Sequence, residues 1–349
     1  MTAVLAREAF GAEFVGADGF LNTPTYGLPP SFLIDALRDC IGQWQTGTME
    51  VPVFDDYVRD GRAAYAALTG VPFESVTMGG TVSSVLGLVA AAVPDGSRIA
   101  TLAGEFTSTT FPFAAQAARG VTITEMGPDR LVSAAADFDV VTASVVQSAN
   151  GAVLDVDALR HTVTGTDTLT VIDITQALGW KVLDVGWADV TAAAVYKWLL
   201  APRGTAWMSL SDRVSRITTP HVANWYAGDD PWQTIYGLPL RLADSARRFD
   251  TSPTWFSALG AGLTLPWLAS LDGAAVEAHT VGLANRARTE LGLPQQNSAI
   301  VSIPIADAAE RLGTAGIRAS TRAGAVRVGF HLYNTENDLD RLLDALNIE

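Results

Sequence analysis

Two residues of this 349-residue chain stand where their chemistry does not suit their neighbours. Asp173 closes the apolar, β-branched run TVID, and Lys197, twenty-four positions on, lies inside AAAVYKWLL. Only Lys181 and Lys197 are lysines, so a lysine within an apolar segment is conspicuous. A buried acid must find a partner or lose its charge. Burial lowers a lysine's pKa towards neutrality, where the amine becomes a nucleophile able to form an imine. An acid and an amine of this kind can hold a cofactor ring between them, the acid pairing with a protonated ring nitrogen. Each also has a plainer reading: Asp173 can cap the turn ITQALGW, and Lys197 can snorkel or sit in an ion pair.

A third feature suits a phosphate. MGGTVSS, around Gly79, Gly80 and Thr81, places two glycines and small hydroxyl residues where a strand passes into a helix. Free backbone N–H groups there point outward beside the helix's positive end. An ordinary strand-to-helix turn with a Thr or Ser cap would carry the same letters.

These positions need strands to deliver them. SVTMGG (75–80), SRIATLAG (97–104), VTITEMG (121–127), FDVVTASVVQS (138–148) and TLTVID read as strands separated by helical segments, and GTAWMSLS follows the lysine segment. Strands and helices alternating at this spacing give βαβ units and a mainly parallel sheet, whose ligands lie beyond the carboxyl ends of the strands. Gly79, Gly80, Ser148, Asp173 and Lys197 all fall at or just after such ends. Upstream, residues 1–20 read as a short helix and lead-in, and a helix capped by Ser31 runs through SFLIDALRDCIGQWQTG. Helices are also expected over 54–71 and 111–120. After residue 245 the texture becomes that of an α+β module: a turn followed by a long apolar helix within 246–271, a helix over 274–291, strands SAIVSIPI and AVRVGFHL around a helix, and a closing helix. The expected division is a large domain over 15–245 and a small one built from 1–14 and 246–349.

The bulk composition excludes several functions. Net charge is −14, which argues against nucleic acid or an anionic membrane as partner. Cys40 is the only cysteine, so no intrachain disulfide can form, and four scattered histidines show no metal-ligand spacing. No run of eighteen apolar residues and no signal-peptide pattern is present, so the expected location is the cytoplasm.

DITQALGW, YKWLLAPRG, RFDTSP and VRVGFHLYNTENDLDRL, in this order, resemble the class V aminotransferase family. This is a group of fold type I pyridoxal phosphate enzymes that includes cysteine desulfurases, kynureninase, isopenicillin N epimerase and the ergothioneine-pathway C–S lyase. The resemblance extends from FLNTPTYG to the last helix and implies an α/β large domain, its mainly parallel sheet sandwiched by helices, plus a small C-terminal α+β domain. It implies that Lys197 carries the internal aldimine, that Asp173 pairs with the pyridine nitrogen and that Gln176 faces the phenolic oxygen. Gly80, Thr81 and Val82 would form the phosphate cup, with Tyr196 able to bond the phosphate. Phe106 would stack on the ring, and Ser148 would approach the ring oxygen or substrate. Arg327 would bind the substrate α-carboxylate. Thr251 and Ser252 would reach the phosphate of a neighbouring subunit, implying a homodimer with shared active sites. Tyr26 and Trp225 are candidates to shape the substrate pocket.

The departures are informative. Many members have a serine and a histidine where this chain has Ala194 and Tyr196, and a histidine where it has Phe106. Desulfurases that pass on a persulfide need a cysteine in the C-terminal half, and none follows Cys40, which disfavours that activity. The expected function is aminotransferase or C–S lyase chemistry on a small α-amino acid. Epimerase and kynureninase-like hydrolase chemistry are the alternatives, and a non-catalytic pyridoxal phosphate-binding paralogue is the alternative of another class. Arg203, Arg248 and Arg322 are the candidates for a second, distal carboxylate.

Overall fold

The computed structural model describes residues 6–347. The chain opens with an antiparallel hairpin, β1 (Ala6–Ala9) and β2 (Ala12–Val15), where the sequence predicts a helix. Phe10 and Gly11 both take positive φ at the turn, and β2 alternates buried and exposed residues, the period of a strand. The first five residues of that expected helix lie outside the described residues. Two helices follow, α1 (Ser31–Thr46) and α2 (Val53–Thr69). Ser31 does not cap α1: Pro30 occupies the cap, so the Ser31 hydroxyl sits in the first turn and donates to Glu13 Oε1 at 2.7 Å instead.

The centre of the molecule is a seven-stranded sheet. In chain order its region comprises β3 (Val76–Gly79), α3 (Val82–Ala92), β4 (Arg98–Leu102), α4 (Thr107–Ala114), β5 (Thr122–Met126), α5 (Pro128–Ala134), β6 (Val140–Ser144), α6 (Val156–Val163), β7 (Leu169–Asp173), β8 (Val190–Ala194), β9 (Ala206–Leu210) and α7 (Asp212–Ile217). The strand order is β3-β9-β8-β7-β6-β4-β5. Only β9 runs against the rest, pairing antiparallel with both β3 and β8. Strands β6, β8 and β9 are buried along their whole length because helices cover both faces, the usual condition of a parallel sheet. Since the other six strands share one direction, Gly79, Ser144, Asp173 and Ala194 emerge along a single edge.

Beyond the sheet, α8 (Trp255–Ser270) packs on α2, where Gly262 lies so close to Tyr57 that a Cβ would meet the tyrosine backbone at 2.6 Å. The remaining elements are α9 (Gly273–Glu290), β10 (Ile300–Ile303), α10 (Ala308–Thr314), β11 (Ser320–Arg322), β12 (Ala325–Gly329) and α11 (Glu336–Ala345). They form a three-stranded antiparallel sheet, β10-β12-β11, with helices against it and a core of its own around Val301, Val328 and Phe330. Strand β11 is an addition to the sequence expectation; three residues are too few to show a period. The amino-terminal segment is tied to this module by hydrogen bonds, Arg7 donating to Asp338 Oδ2 at 2.6 Å and the Gly19 N–H to Asp338 Oδ1 at 2.8 Å, while Ala12, Phe14 and Ala17 pack in the core of the central sheet. No single described helix is long and apolar enough to cross a membrane.

Candidate functional site

The turn after β3 leaves open space at Gly80 beside the start of α3. Thr81 caps α3, its hydroxyl accepting from Ser84 N at 3.1 Å while Ser84 Oγ accepts from Thr81 N at 3.1 Å. Gly79 must lack a side chain, because a Cβ would meet Val85 Cγ1 at 2.5 Å. Gly80 instead faces open space, with only Gly204 O at 3.9 Å. The backbone N–H groups at the start of α3 therefore stand beside room for a group that carries negative charge. Gly80, Thr81 and Val82 line the same cavity as Phe106, Asp173 and Lys197.

Asp173 is the last residue of β7 and is 5% exposed. One of its oxygens accepts from the Thr175 N–H at 2.8 Å, so it does cap the following turn. The other accepts from Thr109 Oγ1 at 3.1 Å. The turn-capping reading of Asp173 is thus observed, and its remaining lone pairs leave room for a further donor.

Lys197 follows β8 by three residues and is 6% exposed. Its amine has no hydrogen-bond partner among the described residues and lies 5.3 Å from the centre of the Phe106 ring. Burial pulls its pKa down to about 8 against the opposing pull of Asp173, with Arg327, Arg322 and Arg203 adding to the depression. The lysine is held by backbone packed too tightly for side chains. A Cβ on Gly27 would fall 2.1 Å from Lys197 O, and one on Gly179 would fall 2.4 Å from Trp198 O. Leu200 takes φ +60, a strained setting for a bulky residue, as the chain turns away.

Gln176, Ser148 and Arg327 form one hydrogen-bonded unit. Trp198 Nε1 donates to Gln176 Oε1 at 2.8 Å, which leaves Gln176 Nε2 to donate to Ser148 Oγ at 3.1 Å and Pro24 O at 3.0 Å. Arg327 Nη1 donates to Ser148 O and, at 3.1 Å, to Ser148 Oγ; Nη2 donates to Thr25 Oγ1 at 2.9 Å and Ser320 Oγ at 3.2 Å. Every one of these partners is neutral. Arg327 is 1% exposed, its Nε has no partner among the described residues, and burial pushes its pKa down to about 10. The charge of this buried guanidinium has no carboxylate partner among the described residues, and Arg327 adjoins the cavity through Ser148 without lining it itself.

Sequence reasoning missed Glu105. Its buried carboxylate accepts from Phe106 N, Ser144 N and Ser144 Oγ, each at 2.7 Å, tying the Phe106 turn to the end of β6. Burial, with Asp173 nearby, raises its pKa. The available signal was another acid just beyond a strand end.

The remaining candidates are placed differently. Tyr196 lines the cavity, and the Arg203 guanidinium lies 5.2 Å from its ring centre. Tyr26 lines an adjoining apolar cleft that shares Tyr196 and Arg203. Thr251, Ser252 and Trp225 do not line this cavity within the chain. The Thr251 N–H donates to Met78 O at 3.1 Å, and Trp225 packs on Tyr226 and Trp232 in a separate loop.

The sequence matches the Aminotransferase class-V family over residues 55–342. The chain belongs to the class V aminotransferase family. Its members are pyridoxal phosphate enzymes, and the residues present fit that cofactor: an unpartnered buried amine, an acid with lone pairs to spare and an open cradle of N–H groups share one cavity. The fold agrees. A cysteine desulfurase from Thermococcus onnurineus NA1 superposes with a TM-score of 0.80 at 19% identity, covering 94% of this chain and 93% of that one. A cystine C–S lyase gives 0.82 at 18% identity over 94% and 97%. A probable cysteine desulfurase from Pseudomonas aeruginosa is 36% identical over 123 residues, a match spanning 28% of this chain and only 30% of that protein.

Proposed function

We propose that this class V enzyme is a C–S lyase, removing a sulfur group from the β-carbon of an α-amino acid by elimination. Bound pyridoxal phosphate supplies an electron sink that stabilises negative charge at the substrate's α-carbon. Lys197 would hold the cofactor and then, freed by the substrate, take the proton from that α-carbon with its neutral amine. Asp173 would keep the ring nitrogen protonated, and the cradle at Gly80, Thr81 and Val82 would receive the phosphate. Phe106 would cover the ring and exclude water. Arg327 would receive the α-carboxylate and so fix which bond at the α-carbon faces Lys197. As the proton leaves, the electron pair of the C–S bond departs with sulfur, which then takes up a proton.

The observation that carries this reading is the buried, unpartnered Lys197 amine set against Asp173 and Arg327. Sulfur chemistry is favoured by the relative described as a probable cysteine desulfurase and by the structural likeness to a cystine C–S lyase. Transfer of sulfur to the protein's own thiol does not fit. Cys40, the single cysteine, is 6% exposed among Leu33, Phe54 and Leu259 and is not part of the cavity lining. Sulfur would leave as a free thiol or persulfide. We propose a homodimer as well, with Thr251 and Ser252 serving the partner's site.

The test is incubation with L-cysteine, S-methyl-L-cysteine and L-alanine, following pyruvate, ammonia and the cofactor's absorption together. Pyruvate and ammonia from a sulfur amino acid, with an unchanged cofactor spectrum, support elimination. Conversion of the cofactor to its pyridoxamine form would instead establish transamination.

A further inference from the structure

Arg248, Arg203 and Arg322 are separated by the structure according to what already holds them. Arg248 is engaged elsewhere, its Nη2 donating to Ser215 O at 2.7 Å and Ser215 Oγ at 2.8 Å. Arg203 lies over the Tyr196 ring, in a turn whose Gly204 carbonyl abuts the Gly80 cradle. Arg322 is different. It ends β11, and its one side-chain hydrogen bond is to its neighbour's carbonyl, Thr321 O, at 2.7 Å. No ion pair to a carboxylate is present for it among the described residues.

Register fixes where Arg322 stands. In the β11–β12 hairpin, Ser320 pairs with Arg327 and Arg322 pairs with Ala325. Residues two apart on a strand share a face, so Arg322 lies on the face of Ser320, the residue whose hydroxyl accepts from Arg327. It is the diagonal neighbour of Arg327, roughly 7–8 Å away at the backbone. The connecting turn has only two residues, Ala323 and Gly324, at φ 48 and 81, which holds the two strands in this register. Arg322 is exposed where Arg327 is buried, and neither is among the residues that line the cavity at Lys197; Arg327 reaches that lining through Ser148. Its charge bears on both Lys197 and Arg327, ahead of Arg203 in its effect on the lysine.

We propose that Arg322 receives a second anionic group, carried on the side chain of the substrate whose α-carboxylate Arg327 receives. The inference rests on the C–S lyase reading and adds a substrate class to it: sulfur amino acids whose leaving group carries a carboxylate. Two guanidiniums on one hairpin face, neither in an ion pair among the described residues, are otherwise costly to assemble, since like charges repel. In a chain of net charge −14 they also supply the local positive potential that a dianionic substrate needs to approach.

The holoenzyme is assayed with a matched pair, S-carboxymethyl-L-cysteine and S-methyl-L-cysteine, which differ by one carboxylate. Binding is read from the change in the cofactor's visible spectrum, and turnover from pyruvate release. Wild-type enzyme should prefer the carboxymethyl compound by about 10-fold or more. Arg322→Gln should lose about 10- to 100-fold in kcat/KM for that compound and keep its activity on the methyl compound, and Arg322→Lys should recover part of the loss. Equal losses on both compounds, no loss on either, or weakened binding of pyridoxal phosphate itself would overturn the assignment. If wild-type enzyme releases pyruvate from neither compound and neither perturbs its spectrum, the C–S lyase reading falls and this inference with it. Turnover of S-methyl-L-cysteine without discrimination overturns this inference alone.

Discussion

The indole N–H of Trp198 donates to the side-chain oxygen of Gln176 across 2.8 Å, joining the residue after Lys197 to the turn after β7. That bond decides which end of the Gln176 amide faces Ser148, since with its oxygen occupied the amide must present N–H groups. His331 supports the same tryptophan from below, with Nε2 3.0 Å from Trp198 O. Trp198→Phe should therefore free the amide to rotate while keeping most of the core volume. The expected outcome is a shifted visible maximum of the bound cofactor and a loss of about 1–3 kcal/mol in stability by chemical denaturation. An unchanged spectrum would mean that Gln176 does not sense the ring.

If Lys197 holds the cofactor as proposed, its uptake should depend on pH. Its folded pKa of about 8 lies below the ordinary 10.5, so folding favours the neutral amine. Protonation blocks its attack on the aldehyde; the amine is charged below pH 8 and neutral above it. Stripped of cofactor, the protein should take up pyridoxal phosphate faster as pH rises from 6 to 8, and the rate should level beyond. At pH 7 about a tenth of the amine is neutral, against well under a thousandth for an ordinary lysine. Stopped-flow absorbance reads the profile, and a rate still climbing tenfold per unit above pH 9 would contradict the depressed value.

Gly27 predicts a stability effect invisible in its own loop. A Cβ there would fall 2.1 Å from Lys197 O and 2.4 Å from Leu200 Cδ2, so Gly27→Ala must push the lysine segment aside. The expected cost is about 1–3 kcal/mol or more, with weakened cofactor binding. Gly42→Ala is the control: it lies in α1 with nothing within 4 Å of its Cβ position and should stabilise by about 0.5–1 kcal/mol. Thermal unfolding of both variants separates local crowding from helix propensity.

The parts of the site legible in the sequence were those with an anomalous residue in a periodic context. Asp173 and Lys197 interrupt apolar runs, and Gly79–Gly80 sits where the period changes from strand to helix, so each announced its place at the edge of the sheet. What stayed hidden depends on contacts between distant segments. Glu105 stands just beyond a strand end, but nothing in the sequence names Ser144 as the group it anchors, or Asp338 as the partner of Arg7. The helix expected over residues 1–20 failed for a related reason. In AREAFGAEFV a helical and a strand period compete over ten residues, and the packing of Phe14 against Tyr333 and Trp267 settles it.

Arg327 offers the sharpest division between binding and cofactor chemistry. Its guanidinium touches Ser148, Thr25 and Ser320, all neutral, and its Nε has no partner among the described residues, so the fork can accept a carboxylate without breaking an ion pair. Arg327→Lys keeps the charge but loses the planar fork. It should raise KM for an α-amino acid by about 10- to 100-fold while leaving the cofactor's absorption in place. A simple amine such as ethylamine, which has no carboxylate, should perturb the spectrum equally in wild type and variant. That contrast separates loss of the carboxylate contact from collapse of the Ser148–Gln176 unit, because collapse would weaken the response to both compounds.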